Sequence, residues 1–193
     1  MNKIGITGGI GSGKSVVSDL IVMAGIPVYA ADDESKRLIN TSSDIRQKLT
    51  NLIDEALYVD GKLDRRRLAS IIFNDEAMLK QVNGIVHPAV MLDFKTWAEK
   101  QATGYCAIET AILYESGFDR EMDVVVMVYA PIELRLTRAM QRDGASEAEV
   151  LRRMNRQLPD ELIKEKADVV IINDDIQPLI PQIEHFVQML SGE

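Results

Sequence analysis

The chain is nearly without cysteine: Cys106 is the only one in 193 residues. A single thiol forms no intramolecular disulfide, so a reducing compartment is the simpler expectation. Positive charge is not in surplus either. Lys and Arg number 22 against 30 Asp and Glu, a net charge of −8. That excludes a uniformly basic nucleic-acid binder, which needs a positive footprint, and leaves only local basic clusters to hold an anion. No apolar run approaches the roughly 18–20 residues of a membrane span. The opening, Met1 to Ile6, runs straight into a strand-like segment, without the apolar core and cleavage site of a secretory signal. Internal repeats, low-complexity tracts and long linkers are absent. What remains is 46% hydrophobic and 27% charged, an ordinary globular balance. The expectation is a cytoplasmic protein with no nucleic-acid or membrane partner, a monomer or small homo-oligomer.

Short apolar runs alternate with helical patterns. Lys3–Thr7, Val28–Ala30, Tyr105–Ile108, Val124–Tyr129 and Val169–Ile172 read as strands, and their unbroken apolar character suits strands covered on both faces. Val16, Val17, Leu20, Ile21 and Ala24 recur at helical spacing until Gly25 and Pro27 stop them. Ile180, Ile183, Val187 and Leu190 repeat in the same way, with His185 on the polar side. This pattern predicts an α/β fold with a parallel five-stranded core sheet flanked by helices, built from about 1–42, 101–132 and 167–193. About 43–100 is strand-poor and reads as a helical lobe, and about 133–166 as an Arg-rich lid. Within the lid, Ser146 and Glu149 have the spacing of a capping box.

Gly8-Gly9-Ile10-Gly11-Ser12-Gly13-Lys14-Ser15 fits the P-loop pattern G-x-x-x-x-G-K-[ST], after a predicted strand and before a predicted helix. Glycines let the backbone curl so that its N–H groups converge on one anion, and the following helix adds its dipole. Lys14 would reach the β- and γ-phosphates, and the Ser15 hydroxyl would ligate Mg²⁺. The loop alone does not separate a kinase from a switch or a mechanical ATPase. No N-K-x-D follows a later strand, which disfavours a GTPase, and the lobe and lid favour a small-molecule kinase.

Asp32 and Asp33 lie just past the second strand, at the end of a parallel sheet where ligands bind. Position leaves two readings open: proton acceptor or metal neighbour, or a cap on a helix running from Glu34 to Ile39. Glu109 at the third strand's end is open in the same way, between a carboxylate near the metal and a solvated strand end. Pro88 pushes His87 toward extended geometry and predicts a helix end there. Asp64-Arg65-Arg66-Arg67 reads as an N-cap before a solvated basic turn, or as a seat for a phosphorylated acceptor. Arg135, Arg138 and Arg142 share a helix face, with Arg152, Arg153 and Arg156 beyond. A solvated face competes with a lid whose arginines, Arg138 and Arg142 foremost, neutralise a transferring phosphoryl group.

Taken together, these segments resemble the dephospho-coenzyme A kinase family nearly end to end. Thr7–Ser15 resembles its opening, and Asp60-Gly61-Lys62-Leu63-Asp64-Arg65 its D-G-x-L-D-R. Asn83, Ile85 and His87-Pro88 match L-N-x-I-x-H-P, with Val82 for the leucine. Ile112-Leu113-Tyr114-Glu115 resembles L-L-[FY]-E, and Arg138 with Gln141-Arg142-Asp143 resembles the family's R-x-x-x-R-D lid. Gln157, Ala167-Asp168 and Asn173 resemble its closing segment.

The resemblance implies ATP-dependent phosphorylation of the ribose 3′-hydroxyl of dephospho-coenzyme A, with Mg²⁺. It implies nucleotide binding by Gly8, Gly11, Ser12, Gly13, Lys14, Ser15, Val16, Arg138, Arg142 and Asn173, with Ser15 on the metal. Aligning Val28–Asp32 on the family's D-A-D places the catalytic base at Asp32, with Lys14 and Arg138 as the other catalytic residues. Lys36, Arg65 and His87 would seat the acceptor beside Asp32. Two positions depart: Ala30 replaces the first Asp of D-A-D, and Ala111 replaces a proline. A nucleoside or nucleotide kinase of the same architecture is the competing reading, and a nucleotide-gated binding module without transfer is the reading from another class.

Overall fold

The computed structural model describes residues 1–73 and 75–192. The chain opens with β1 (Asn2–Thr7), α1 (Lys14–Met23) and β2 (Val28–Ala30). It continues through α2 (Ala31–Thr41), α3 (Ser43–Leu52), a hairpin of β3 (Tyr58–Val59) and β4 (Lys62–Leu63), α4 (Arg65–Ile72) and α5 (Glu76–Ala98). Then come β5 (Tyr105–Glu109), β6 (Val124–Tyr129), α6 (Ile132–Asp143), α7 (Glu147–Met154), α8 (Asp160–Lys166), β7 (Val169–Ile172) and α9 (Leu179–Ser191). Two compact units result: Met1–Ala30 with Gln101–Glu193, and Ala31–Lys100. No helix among the described residues is long and apolar enough to cross a membrane.

The first unit is built on a five-stranded sheet in the order β2-β5-β1-β6-β7. Every pairing in it is parallel, with Ile6 of β1 opposite Glu109 of β5 on one side and Val126 of β6 on the other. β2 is in register with β5 through Ala30 and Glu109. Parallel strands cannot be joined by tight hairpins, so helices cross between them and cover the faces. α1 and α9 cover one face, burying Val17, Ile21, Ile183 and Phe186 against Ile4, Ile6, Ala107, Val126, Val128 and Ile171. His185 stays exposed on α9. All five strands end at one edge of the sheet, and β1 sits where its neighbours lead away to opposite sides, the position at which such sheets bind ligands.

The second unit is helical. α2, α3 and α4 each pack on α5, which buries Val82, Val86, Val90, Met91, Phe94 and Ala98. It begins at Ala31, earlier than the lobe expected at about 43, because α2 packs on α5 and α3. The start of α2 also corrects the capping reading of Asp32 and Asp33. Both lie inside the helix with Glu34, in a first turn where negative charge complements the dipole. The expected helix end at His87-Pro88 is likewise overturned. α5 runs through both residues, because a buried stripe from Val82 to Phe94 outweighs the local preference against a helical residue before proline. Pro88 has no N–H to donate to the carbonyl four residues back, and the residue there is Gly84.

Candidate active site

A glycine-rich cup forms where β1 turns into α1. Gly8, Gly11 and Gly13 have φ of 149°, 81° and 87°, values that side chains rarely adopt. Gly13 is the N-cap of α1 in the left-handed conformation, and a Cβ there would collide with the Asn173 amide. The Ser12 N–H donates to the Gly9 carbonyl at 3.1 Å, closing the turn. Lys14 is buried, and its ammonium donates to the carbonyls of Gly8 and Gly9 at 3.0 and 3.5 Å. The cation is thus held across the mouth of the loop by two backbone carbonyls. Ser15 and Val16 stand exposed in the first turn of α1. The Ser12 hydroxyl is fully buried and has no hydrogen-bond partner.

The loops at the same sheet edge close on this cup. Asn173, just past β7, donates its side-chain amide to the Ser12 carbonyl at 2.8 Å. Arg138 of α6 donates to the Asn173 carbonyl at 3.1 Å and pairs with the Asp175 carboxylate, which fixes its guanidinium beside Gly13. Arg142 is held elsewhere. It pairs with Asp143, which Arg153 also binds at 2.6 Å, and the two guanidiniums keep that carboxyl well below the usual carboxylate range. Arg138 and Asn173 therefore meet the P-loop, while the partner of Arg142 is its own neighbour. Asp168 accepts from the Val125 N–H at 2.8 Å, pinning the start of β7 to β6.

Groups of three or more His, Cys, Asp or Glu able to hold a metal are absent among the described residues. Ser15 lies in the first turn of α1 and Glu109 stands opposite Ile6 at the strand end, both hard oxygen donors. That set suits Mg²⁺, which keeps its waters and binds mainly through phosphates.

The family model described as CoaE, dephospho-CoA kinase, matches residues 2–178. The chain belongs to the dephospho-CoA kinase family. A dephospho-CoA kinase of Bacteroides fragilis is 48% identical over 189 residues, covering 97% of this chain and 92% of the relative. A crystal structure of a Thermus thermophilus protein is 33% identical, with a TM-score of 0.84 over 99% of this chain and 96% of that one. A dephospho-CoA kinase from Campylobacter jejuni shares the fold at a TM-score of 0.69 and 24% identity, over 99% and 98% of the two chains.

In this dephospho-CoA kinase family member the expected acceptor residues all lie in the helical unit. Asp32 and Lys36 are exposed and one turn apart on α2. Lys36 pairs at 2.6 Å with Asp33 rather than Asp32. Arg65 is the first residue of α4, whose N-cap Asp64 accepts from the N–H groups of Arg66 and Arg67 at 3.0 Å. His87 lies half-buried in α5, and burial lowers its imidazole below its ordinary value. α2 and α4 both pack on α5, so the three helices that carry these residues are neighbours.

Sequence reasoning passed over Asp160 and Asp175 and gave Arg135 no role apart from its helix face. Arg135 has only 5% of its side chain exposed; it pairs with Asp160 and donates from Nε to the Ile10 carbonyl at 3.0 Å. Spacing alone put it on the same face as Arg138, and nothing local distinguished a buried arginine from a solvated one. Gln157, known only from the resemblance, accepts from the Ile10 N–H at 2.8 Å and donates to the Ala111 carbonyl at 2.8 Å.

Proposed function

We propose that the chain transfers the γ-phosphoryl group of ATP to the ribose 3′-hydroxyl of dephospho-coenzyme A. The observation that carries the reading is a P-loop cup at the switch point of a parallel sheet, in a chain whose family is dephospho-CoA kinase. Transfer of a phosphoryl group asks the protein mainly to position two oxygens in line and to neutralise charge. The backbone N–H groups of Gly11 to Ser15 bind the donor's phosphates, and the Gly8 turn shapes that loop. Lys14 leaves its two carbonyl acceptors for the β- and γ-oxygens. Arg138, already anchored at Asn173 and Asp175, offers its remaining guanidinium face to the nucleotide, and Arg142 joins it by exchanging Asp143 for phosphate. The Ser15 hydroxyl would hold Mg²⁺, which would supply further neutralisation of charge when bound.

On the acceptor side, Asp32 receives the proton of the 3′-hydroxyl. Its support is placement: β2 ends at Ala30, on the sheet edge where β1 enters the cup, and Asp32 follows two positions later. Among the described residues, no protein group pairs with its carboxylate, which leaves both oxygens available as acceptors. Lys36, Arg65 and the neutral imidazole of His87 seat the coenzyme. Ala30 offers no carboxylate where the family carries one, and Glu109, in register beside it, is the acid at hand.

The test is a coupled assay for ADP formation with dephospho-coenzyme A, nucleosides and nucleoside monophosphates offered separately. ADP appears with dephospho-coenzyme A, and Lys14→Ala abolishes it. Faster turnover on a nucleoside or nucleotide would replace this reading with that of a nucleotide kinase.

A further inference from the structure

The P-loop residue at the tip, Ile10, is gripped in three ways by the segment from α6 to α8. Its N–H is taken by Gln157 Oε1 at 2.8 Å. Its carbonyl is taken by Arg135 Nε at 3.0 Å. Its side chain packs on a small core of Ala139, Val150 and Met154, away from the main sheet core. Arg135 is itself fixed by Asp160, and its guanidinium lies so close over Gly9 that a Cβ there would collide with it. Gln157 is fixed in turn through the Ala111 carbonyl. Four of the eight P-loop residues, Gly8, Gly11, Gly13 and Gly9, are glycines, so the cup has little side-chain structure of its own to hold its curvature.

We infer that Ile10 is a positioning residue through which α6–α8 sets the shape of the phosphate cup. It makes no contact with ATP in this account; it holds the amides of Gly11 to Ser15 in their convergent arrangement. The inference rests on the proposal that these amides bind ATP's phosphates. A cup that relaxes when its tip is released loses donor affinity, and in-line geometry with it, since sub-ångström placement governs such transfers. Binding of the acceptor by the helical unit is untouched.

Two variants test this, with ATP binding read directly by calorimetry and kinetics read for both substrates. Gln157→Leu removes the acceptor of the Ile10 N–H and raises the ATP dissociation constant roughly tenfold, the scale of one part-buried amide left unsatisfied. Ile10→Ala keeps every backbone bond, removes only the packing and raises it by about threefold or more, while Ile10→Val restores most of the loss. In both, the ATP KM rises and kcat falls while the KM for dephospho-coenzyme A stays within about twofold of wild type. A purely structural role would lower the melting temperature without separating the two KM values. If Gln157→Leu fails to fold, Ile10→Ala decides alone. ATP affinity within twofold of wild type in the folded variants overturns the inference. Wild-type protein that binds no ATP overturns the P-loop reading instead.

Discussion

Pro88→Ala is expected to stabilise the protein and to damage its activity. Pro88 lies near the middle of a 23-residue helix, and its ring nitrogen cannot donate to the Gly84 carbonyl. An interior proline costs a helix about 3 kcal/mol relative to alanine. Losing proline's restraint on the unfolded chain returns about 0.4–1 kcal/mol of that difference. The helix also already accommodates the ring: Pro88 and Gly84 are both exposed, and a Cβ at Gly84 would meet nothing within 4 Å. The expected net gain is therefore about 1–2 kcal/mol, a rise in Tm of roughly 3–6 °C for a domain of this size. Differential scanning calorimetry of the full chain, with and without dephospho-coenzyme A, measures it. The same variant alters the backbone beside His87 and raises the KM for dephospho-coenzyme A while leaving the ATP KM alone. A lower Tm would refute the reasoning, because it would mean that the ring contributes packing that the missing hydrogen bond does not offset.

Other outcomes follow from the same geometry. Asp32→Asn keeps ATP affinity and cuts turnover by roughly 10², the usual scale of general-base assistance, and unimpaired turnover would remove Asp32 from that role. Because burial lowers the His87 pKa, the unfolded chain takes up its proton at about pH 6.5, a higher pH than the folded protein does, so stability contributed by His87 falls as pH drops through that range. His87→Gln therefore flattens the decline in Tm between about pH 7 and pH 5.5 relative to wild type; an unchanged slope would show that His87 does not carry it. Gly13→Ala forces a side chain into the left-handed region and onto the Asn173 amide, at a cost of about 1–2 kcal/mol for the backbone alone. A thermal shift assay with ATP should show the ligand-induced rise in Tm lost.

The parts of the molecule legible from its sequence are those whose causes are local. The P-loop is eight contiguous residues whose glycines and lysine each answer a separate physical need, and the structure has the curl they imply. The five core strands were visible because each carries a mostly apolar run, buried through most of β1, β5 and β6 and in part in β2 and β7. The misread elements are those in which distant residues outweigh near ones. His87-Pro88 reads as a helix end by its neighbours, yet α5 continues because a buried face from Val82 to Phe94 holds it. One reading of Asp32 and Asp33 made them caps on a helix starting at Glu34, yet α2, which packs on α5, starts at Ala31, directly after β2. The grip on Ile10 joins residues 147 and 125 positions apart, which no local spacing encodes. Arg135 and Arg138 belong to one helix face, but one is buried against a carboxylate and the other anchored beside the cup.

The central claim is the transfer of a phosphoryl group to one particular oxygen, and phosphorus NMR of the product tests it most directly. With ATP, Mg²⁺ and dephospho-coenzyme A, the account predicts a new monophosphoester resonance coupled to the ribose proton at C3′, in amounts matching the ADP released. Phosphate on any other oxygen of the acceptor, or ADP release with free phosphate alone, would contradict it.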